Sequence, residues 1–307
     1  MAYTTVPTHP ILAVYPGEPI GGKHGKVWIV AAGYFMDPCV HATGNLPSKG
    51  IAPWSAFGFI PELHPEDSLI VTGHIRPGHE KAFHAAVIAE ADRLCRELSS
   101  SRIYVGWSCG GMELNQTYRR DVAAHGHDGI GFVLAEVPPT AKFLSLVQRM
   151  AVSASLWLSP HRGIGLSRRF GTKLAQDEMN RVERNWKGDR TELRALLKHM
   201  RWAARNSPWV LQNAQFIALY QGLGRRMPEA GSHVVTLNLR KHHGKSLDKV
   251  VLVDRSVREA SRSYPGLLAF EYDGSAHGTL LADRDAIRDA LVKKVRPHFE
   301  TQLHPTA

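Results

Sequence analysis

The chain has 307 residues, 43% of them hydrophobic and 21% charged. That balance argues against disordered and fibrous architectures and is within reach of one large α/β domain. Lys and Arg number 38 against 28 Asp and Glu, a net charge of +10, and the excess is local: residues 140–232 hold 16 basic and 6 acidic side chains, leaving 22 of each sign elsewhere. Cys39, Cys95 and Cys109 form no C-x-x-C pair, which argues against a disulfide framework or a zinc ribbon. The chain opens without a secretory leader and has no apolar run of the about 18 residues that a spanning helix needs, so a cytoplasmic protein is expected.

Short β-branched runs at 27–31 (VWIVA) and 68–72 (SLIVT), each followed closely by glycine, predict strands. Residues 80–98 place Phe83, Val87, Ala91, Leu94 and Leu98 at helical spacing, which predicts an amphipathic helix. Strands are expected again at 102–105 (RIYV) and 130–137 (IGFVLAEV), the latter stopped by Pro138-Pro139. From about 140 to 232 the pattern is helical: one helix carries Leu166, Phe170, Leu174, Val182 and Trp186, and a second carries Leu193, Leu196, Leu197 and Met200, with Gly188-Asp189 between them. Strand and helix then alternate once more, with a strand at 250–253 (VVLV), a helix at 256–263, a strand at 267–272 (LLAFEY) and a last helix from 283 to about 295. Such alternation predicts a mostly parallel sheet flanked by helices, with the helical block inserted over one edge. Sites in open α/β sheets gather at the carboxyl ends of strands.

At one such end stands Gly106-Trp107-Ser108-Cys109-Gly110-Gly111. G-x-S-x-G between a strand and a helix is the pattern of a nucleophile elbow, where a tight turn exposes a serine Oγ and glycines let neighbouring backbone pass close. The helix that follows aims its first amides at the same point, which favours a developing oxyanion. Ser108 is the expected nucleophile.

With that motif in place the chain resembles the α/β-hydrolase superfamily, whose chemistry follows the order nucleophile, acid, histidine. The resemblance implies an α/β-hydrolase core at 1–139 and 233–307, with a basic helical cap at 140–232. It implies His277, in the loop after LLAFEYDGSA, as the general base, and Asp254, after VVLV, as the acid that orients it. Asp248 and Glu136 also lie near strand ends and remain open as the acid. The implied oxyanion hole uses the backbone amides of Cys109 and Tyr34, with Gly33 as the lesser alternative to Tyr34. Trp107 before the nucleophile, together with the basic cap, resembles the pimeloyl-acyl-carrier-protein methyl ester esterases. Their cap binds an acidic carrier protein, which makes Trp107, Arg190, Arg194 and Lys198 candidate contacts for substrate or partner.

Arg190, Arg194, Lys198, Arg201 and Arg205 fall on one face of the second cap helix. A solvated face explains them plainly; an acidic partner docked at the lip of the site is the sharper reading. Trp157, Phe170, Trp186 and Trp202 are candidates to line an acyl pocket, with cap core as the plainer role. His125-Gly126-His127-Asp128 and the other histidine groups lack metal-ligand spacing, no glycine run has the context of a dinucleotide fingerprint, and no nucleic-acid-binding module accompanies the charge, so neither metal, cofactor nor nucleic acid is expected. The polar helix after the elbow, MELNQTYRRDVAAH, is either more exposed than such helices usually are or marks a divergent domain. The expected activity is hydrolysis of a carboxylic ester. A thioesterase or acyltransferase on the same triad, and a catalytically silent binding protein, are the alternatives.

Overall fold

The computed structural model describes residues 9–21, 25–33, 55–75, 78–137, 160–206, 221–242, 245–246, 251, 253–275, 277 and 283–303. In chain order these form β1 (Ile11–Tyr15), β2 (Lys26–Ala31), α1 (Phe59–Leu63), β3 (Ser68–Thr72), α2 (Glu80–Leu98), β4 (Ser101–Trp107), α3 (Cys109–His125) and β5 (Ile130–Ala135). Next come α4 (Pro160–Asn185), α5 (Arg190–Asn206), a 3-10 turn (Pro228–His233), β6 (Val234–Leu239) and a small hairpin of β7 (Lys241–His242) and β8 (Lys245–Ser246). The chain closes with α6 (Val253–Ser263), β9 (Leu268–Tyr272), α7 (Arg284–Ala290), a π turn (Leu291–Val295) and α8 (Arg296–Gln302).

Seven strands pair in the order β1-β3-β2-β4-β5-β6-β9. Every neighbour is parallel except β1, which runs antiparallel to β3 at the edge. Side chains alternate between two cores, as a period of two requires. Val27, Ile29, Ile70, Tyr104 and Phe132 pack with Phe83, Val87, Met112 and Tyr118 of α2 and α3 on one face. Trp28, Val30, Val71, Val105 and Val133 pack with Phe57 and Phe59 and with Ile287, Leu291 and Phe299 on the other. The sheet is therefore covered on both sides, and its inner strands are buried throughout.

Two expectations change here. Val251 sits in a bend and Val253 opens α6, while β6 pairs directly with β9, so the described residues of 250–253 form no strand between them. The helical period explains this: Val253, Ser256 and Ala260 are the buried positions of α6, and the charged residues between them face out. Helix α3 is polar yet buried, because its polar side chains find partners inside the protein. Glu113 meets His74 Nδ1 at 3.0 Å, Thr117 Oγ1 meets His84 Nδ1 at 2.8 Å, Asn115 Oδ1 accepts from Tyr264 Oη at 2.5 Å, and Asp121 accepts from Tyr104 Oη at 2.7 Å. Buried polar groups are tolerated when they are paired in this way.

Between β5 and the 3-10 turn the described residues form a hairpin of α4 and α5 with its own small core, including Met179, Val182, Leu193, Leu196, Leu197 and Met200. Asp189 starts α5 by accepting the amides of Thr191 and Glu192 at 2.7 and 3.1 Å. No helix among the described residues is long and apolar enough to cross a membrane.

Candidate active site

Ser108 stands at the end of the central strand β4 with φ 49° and ψ −119°, in the left-handed region that a residue with a Cβ seldom occupies. Such a conformation costs about 1–3 kcal/mol and persists only where the surroundings enforce it. Here they do: Ser108 N donates to Ala135 O of β5 at 2.8 Å, and a Cβ on Gly106 would lie 2.3 Å from Gly111 Cα. A Cβ on Gly110 would lie 2.5 Å from Ala32 O of the β2 end. The glycines are thus a steric requirement of the turn.

Ser108 Oγ lies 2.9 Å from His277 Nε2, although the two residues are 169 positions apart. The other ring nitrogen, Nδ1, is 3.5 Å from Oε2 of Glu136. Glu136 follows β5, is fully buried, and also has a left-handed backbone, φ 49°. Its amide donates to Leu237 O at 2.9 Å, Trp107 Nε1 donates to its Oε2 at 3.3 Å, and Tyr272 Oη donates to its Oε1. Donors on both oxygens favour the ionised carboxylate. Ser108, His277 and Glu136 thus form one chain of contacts.

A fold of this kind matches solved structures along almost its whole length. A meta-cleavage product hydrolase from Pseudomonas fluorescens IP01 superposes with a TM-score of 0.50 at 15% identity, over 94% of this chain and 97% of its own. The chain has the α/β-hydrolase fold. A type II thioesterase from the borrelidin biosynthetic cluster aligns at a TM-score of 0.45 and 15% identity, over 93% of this chain and 97% of its own. A marine microorganism esterase aligns at 0.45 and 14%, over 94% and 98%. No protein-family model matches the sequence, and no curated protein is detectably similar to it.

Within this α/β-hydrolase fold, the structure brings Ser108, His277 and Glu136 together. Asp254 is exposed in the first turn of α6, and the carboxylate within ion-pair distance of His277 among the described residues is that of Glu136. Asp254 therefore stands in the first turn of a helix and not, as expected, directly after a strand. The true penultimate strand, β6, ends at Leu239 and is followed by Arg240. Asp248 and Tyr34 lie outside the described residues. Cys109 is the first residue of α3, so its amide has no partner within the helix and can face an oxyanion. Burial pushes its thiol up to about 12, so sulfur does not compete as a nucleophile.

Trp107, expected as a candidate contact, is 1% exposed, and its indole N–H donates to Glu136. Of the aromatic cap residues, Trp186 packs on the hairpin core and donates to Asp189 O at 3.0 Å, and Trp202 stacks on His199. Trp157 and the Phe170 side chain lie outside the described residues. Arg190, Arg194, Lys198, Arg201 and Arg205 are all exposed along α5.

Two side chains reach the site from α4. Arg181 Nη2 donates to the main-chain carbonyl of His277 at 3.0 Å and also pairs with Glu178 Oε2. Glu178 is 2% exposed, and burial pushes its carboxyl up to about 7 against the pull of Arg181 and His277. Two groups of ligand-type side chains, His127–Asp128–His233 and Asp92–Asp121–His125, lie away from this site, the first before β5 and β6 at the amino ends of the strands.

Proposed function

We propose that the protein is a serine hydrolase that cleaves a carboxylic ester through an acyl-enzyme. The observation that carries this reading is the 2.9 Å contact of Ser108 Oγ with His277 Nε2 at a strained strand-to-helix turn. In this reading Ser108 Oγ attacks the acyl carbonyl while His277 Nε2 takes its proton. The Cys109 amide stabilises the oxyanion, with the Tyr34 amide as its expected partner from the sequence. His277 returns the proton to the departing alkoxide, the alcohol leaves, and the acyl group stays on Ser108. A water, deprotonated by the same ring nitrogen, attacks the acyl-enzyme, releasing the acid and restoring Ser108. Glu136, in place of Asp254, holds Nδ1–H and stabilises the imidazolium formed in both steps.

The same triad serves a thioester or an acyl acceptor other than water, so the donor is settled by assay. The five exposed cations of α5 support an anionic or carrier-bound substrate approaching along the cap at 140–232. The narrower likeness to pimeloyl-acyl-carrier-protein methyl ester esterases rests on Trp107 and that basic face alone. A fluorophosphonate probe should label wild-type protein and leave Ser108→Ala unlabelled, and a series of nitrophenyl esters beside acyl thioesters should then rank donors. Labelling that persists in Ser108→Ala, or none in wild type, would overturn the hydrolase reading in favour of a silent binding protein.

A further inference from the structure

The cap hairpin brings to the site a buried Glu178 paired with a half-buried Arg181. Glu178 and Arg181 are three residues apart on α4, so they share a face of the helix. Burying charge is costly, and the hairpin's own core of Ala175, Met179, Val182, Leu193 and Met200 is apolar and needs no such pair. The basic residues further along the hairpin, from Arg184 and Lys187 to Arg190 and Arg194, are exposed, so Arg181 is distinguished from them by turning inward. What it reaches is the carbonyl of His277. That residue follows β9, an edge strand paired with β6 on one side and largely exposed before Tyr272. The nearby Ser275 is tied locally, by its amide and Oγ to Asp283 at 2.5 and 3.0 Å. A loop hung from an edge strand gains a second anchor when a guanidinium holds its backbone.

We propose that Arg181 and Glu178 are positioning residues for His277: the guanidinium, fixed by the Glu178 carboxyl, holds the histidine main chain so that the imidazole bridges Ser108 and Glu136. The proposal rests on the serine-hydrolase reading above. It makes catalysis depend on the seating of the cap, because the chain that covers the site also holds its base in place.

Glu178 also bears on the charge of the imidazole. It faces Arg181 on its own helix, His277 in the loop after β9, and Glu136 at the end of β5. Burial raises its carboxyl most, Arg181 and His277 oppose that rise, and Glu136 adds to it, leaving it at about 7. Once ionised, Glu178 is a second negative group near the ring, and it favours the imidazolium. A base must be neutral to accept a proton. Removing the Glu178 charge therefore lowers the pH at which His277 becomes active, and the acidic limb of kcat/KM moves down.

The test uses full-length protein and a nitrophenyl ester, with kcat and KM followed across pH for Arg181→Met, Arg181→Lys and Glu178→Gln, and with Arg181→Met repeated in His277→Ala. Arg181→Met should lower kcat about tenfold to a hundredfold with KM little changed, the scale expected for a misplaced catalytic group. Arg181→Lys should recover part of that loss, and in His277→Ala the Arg181 change should cost nothing further. Glu178→Gln, which keeps size and an acceptor for Arg181, should move the acidic limb down by about a few tenths of a pH unit, because the carboxyl is only part ionised there. Equal losses from Arg181→Met in both backgrounds, or an unmoved limb in Glu178→Gln, would overturn the proposal. Should Arg181→Met fold poorly, Arg181→Lys and Glu178→Gln decide the matter. Full activity in His277→Ala would overturn the hydrolase reading and this proposal with it, whereas loss there with Arg181→Met silent overturns this proposal alone.

Discussion

Replacing Glu136 by Gln tests which carboxylate serves His277. Gln keeps the volume of Glu, and its amide can be accommodated without breaking the local bonds. Its carbonyl can take the place of Oε2, accepting from Trp107 Nε1 and from Nδ1–H of His277, while its NH2 faces Tyr272 Oη, which rotates to accept. The substitution therefore removes charge and little else. In the transition state the imidazolium stands 3.5 Å from Oε2, a separation worth about 5 kcal/mol at an effective dielectric of about 20. At about 1.4 kcal/mol per decade, kcat/KM should fall on the order of a thousandfold, comparable to losing the triad carboxylate elsewhere. The assay is steady-state ester hydrolysis with a thermal melt beside it, so that a loss of fold is separated from a loss of chemistry. Asp254→Asn, at an exposed site, should stay within about twofold of wild type, as surface changes usually do. Glu136→Gln within fivefold of wild type, or an equal loss in Asp254→Asn, would refute the reasoning.

Gly110→Ala should abolish fluorophosphonate labelling and lower the melting temperature, because the new Cβ would sit 2.5 Å from Ala32 O. Gly78→Ala, with φ +84° and nothing within 4 Å, should cost only about 1 kcal/mol. The Glu178 carboxyl is raised from 4.5 to about 7, so its protonated form stabilises the fold fully below about pH 4.5 and that contribution is lost as pH rises through about 7. Thermal melts across this window should show wild-type protein losing stability relative to Glu178→Gln by on the order of 3 kcal/mol, and parallel curves would refute the assignment. Charge reversal at Arg190, Arg194 and Lys198 should leave small neutral esters within about twofold and weaken turnover of an anionic or carrier-bound substrate in a salt-dependent way. Equal losses on both would remove the docking role.

The sheet was legible wherever local pattern and burial agree. The runs VWIVA and SLIVT, the helix at 80–98 and the glycine-flanked Ser108 all carry a signal within a few residues. The edge strand β1 escaped notice because Ile11–Tyr15 is only half-buried and lies between prolines, so neither alternation nor an apolar run marks it. The segment VVLV misled for the opposite reason: its local β propensity is strong, and the helical period of Val253, Ser256 and Ala260 shows only when the charged residues beyond it are included. The expectation of Asp254 as the acid rests on that strand. Glu136 stays open beside Asp254 and Asp248 as a carboxylate near a strand end, and what distinguishes it, contacts with Tyr272 and His277 more than a hundred residues away and a positive φ, is not displayed in the sequence. Arg181 was hidden among like charges, for composition cannot tell which cation of a basic helix turns inward.

Glu136 sits on the strand beside the nucleophile, and the amide of Ser108 bonds directly to the strand that carries it. On the proposed assignment of Glu136 as the acid, the far end of β6 carries no triad residue, and the chain there runs on into the hairpin of β7 and β8. A stretch freed in this way is a natural place for grafting: a tag, a binding loop or a foreign hairpin inserted between Lys241 and Ser246 should leave turnover intact. In a hydrolase whose acid follows β6, the same insertion would displace the triad.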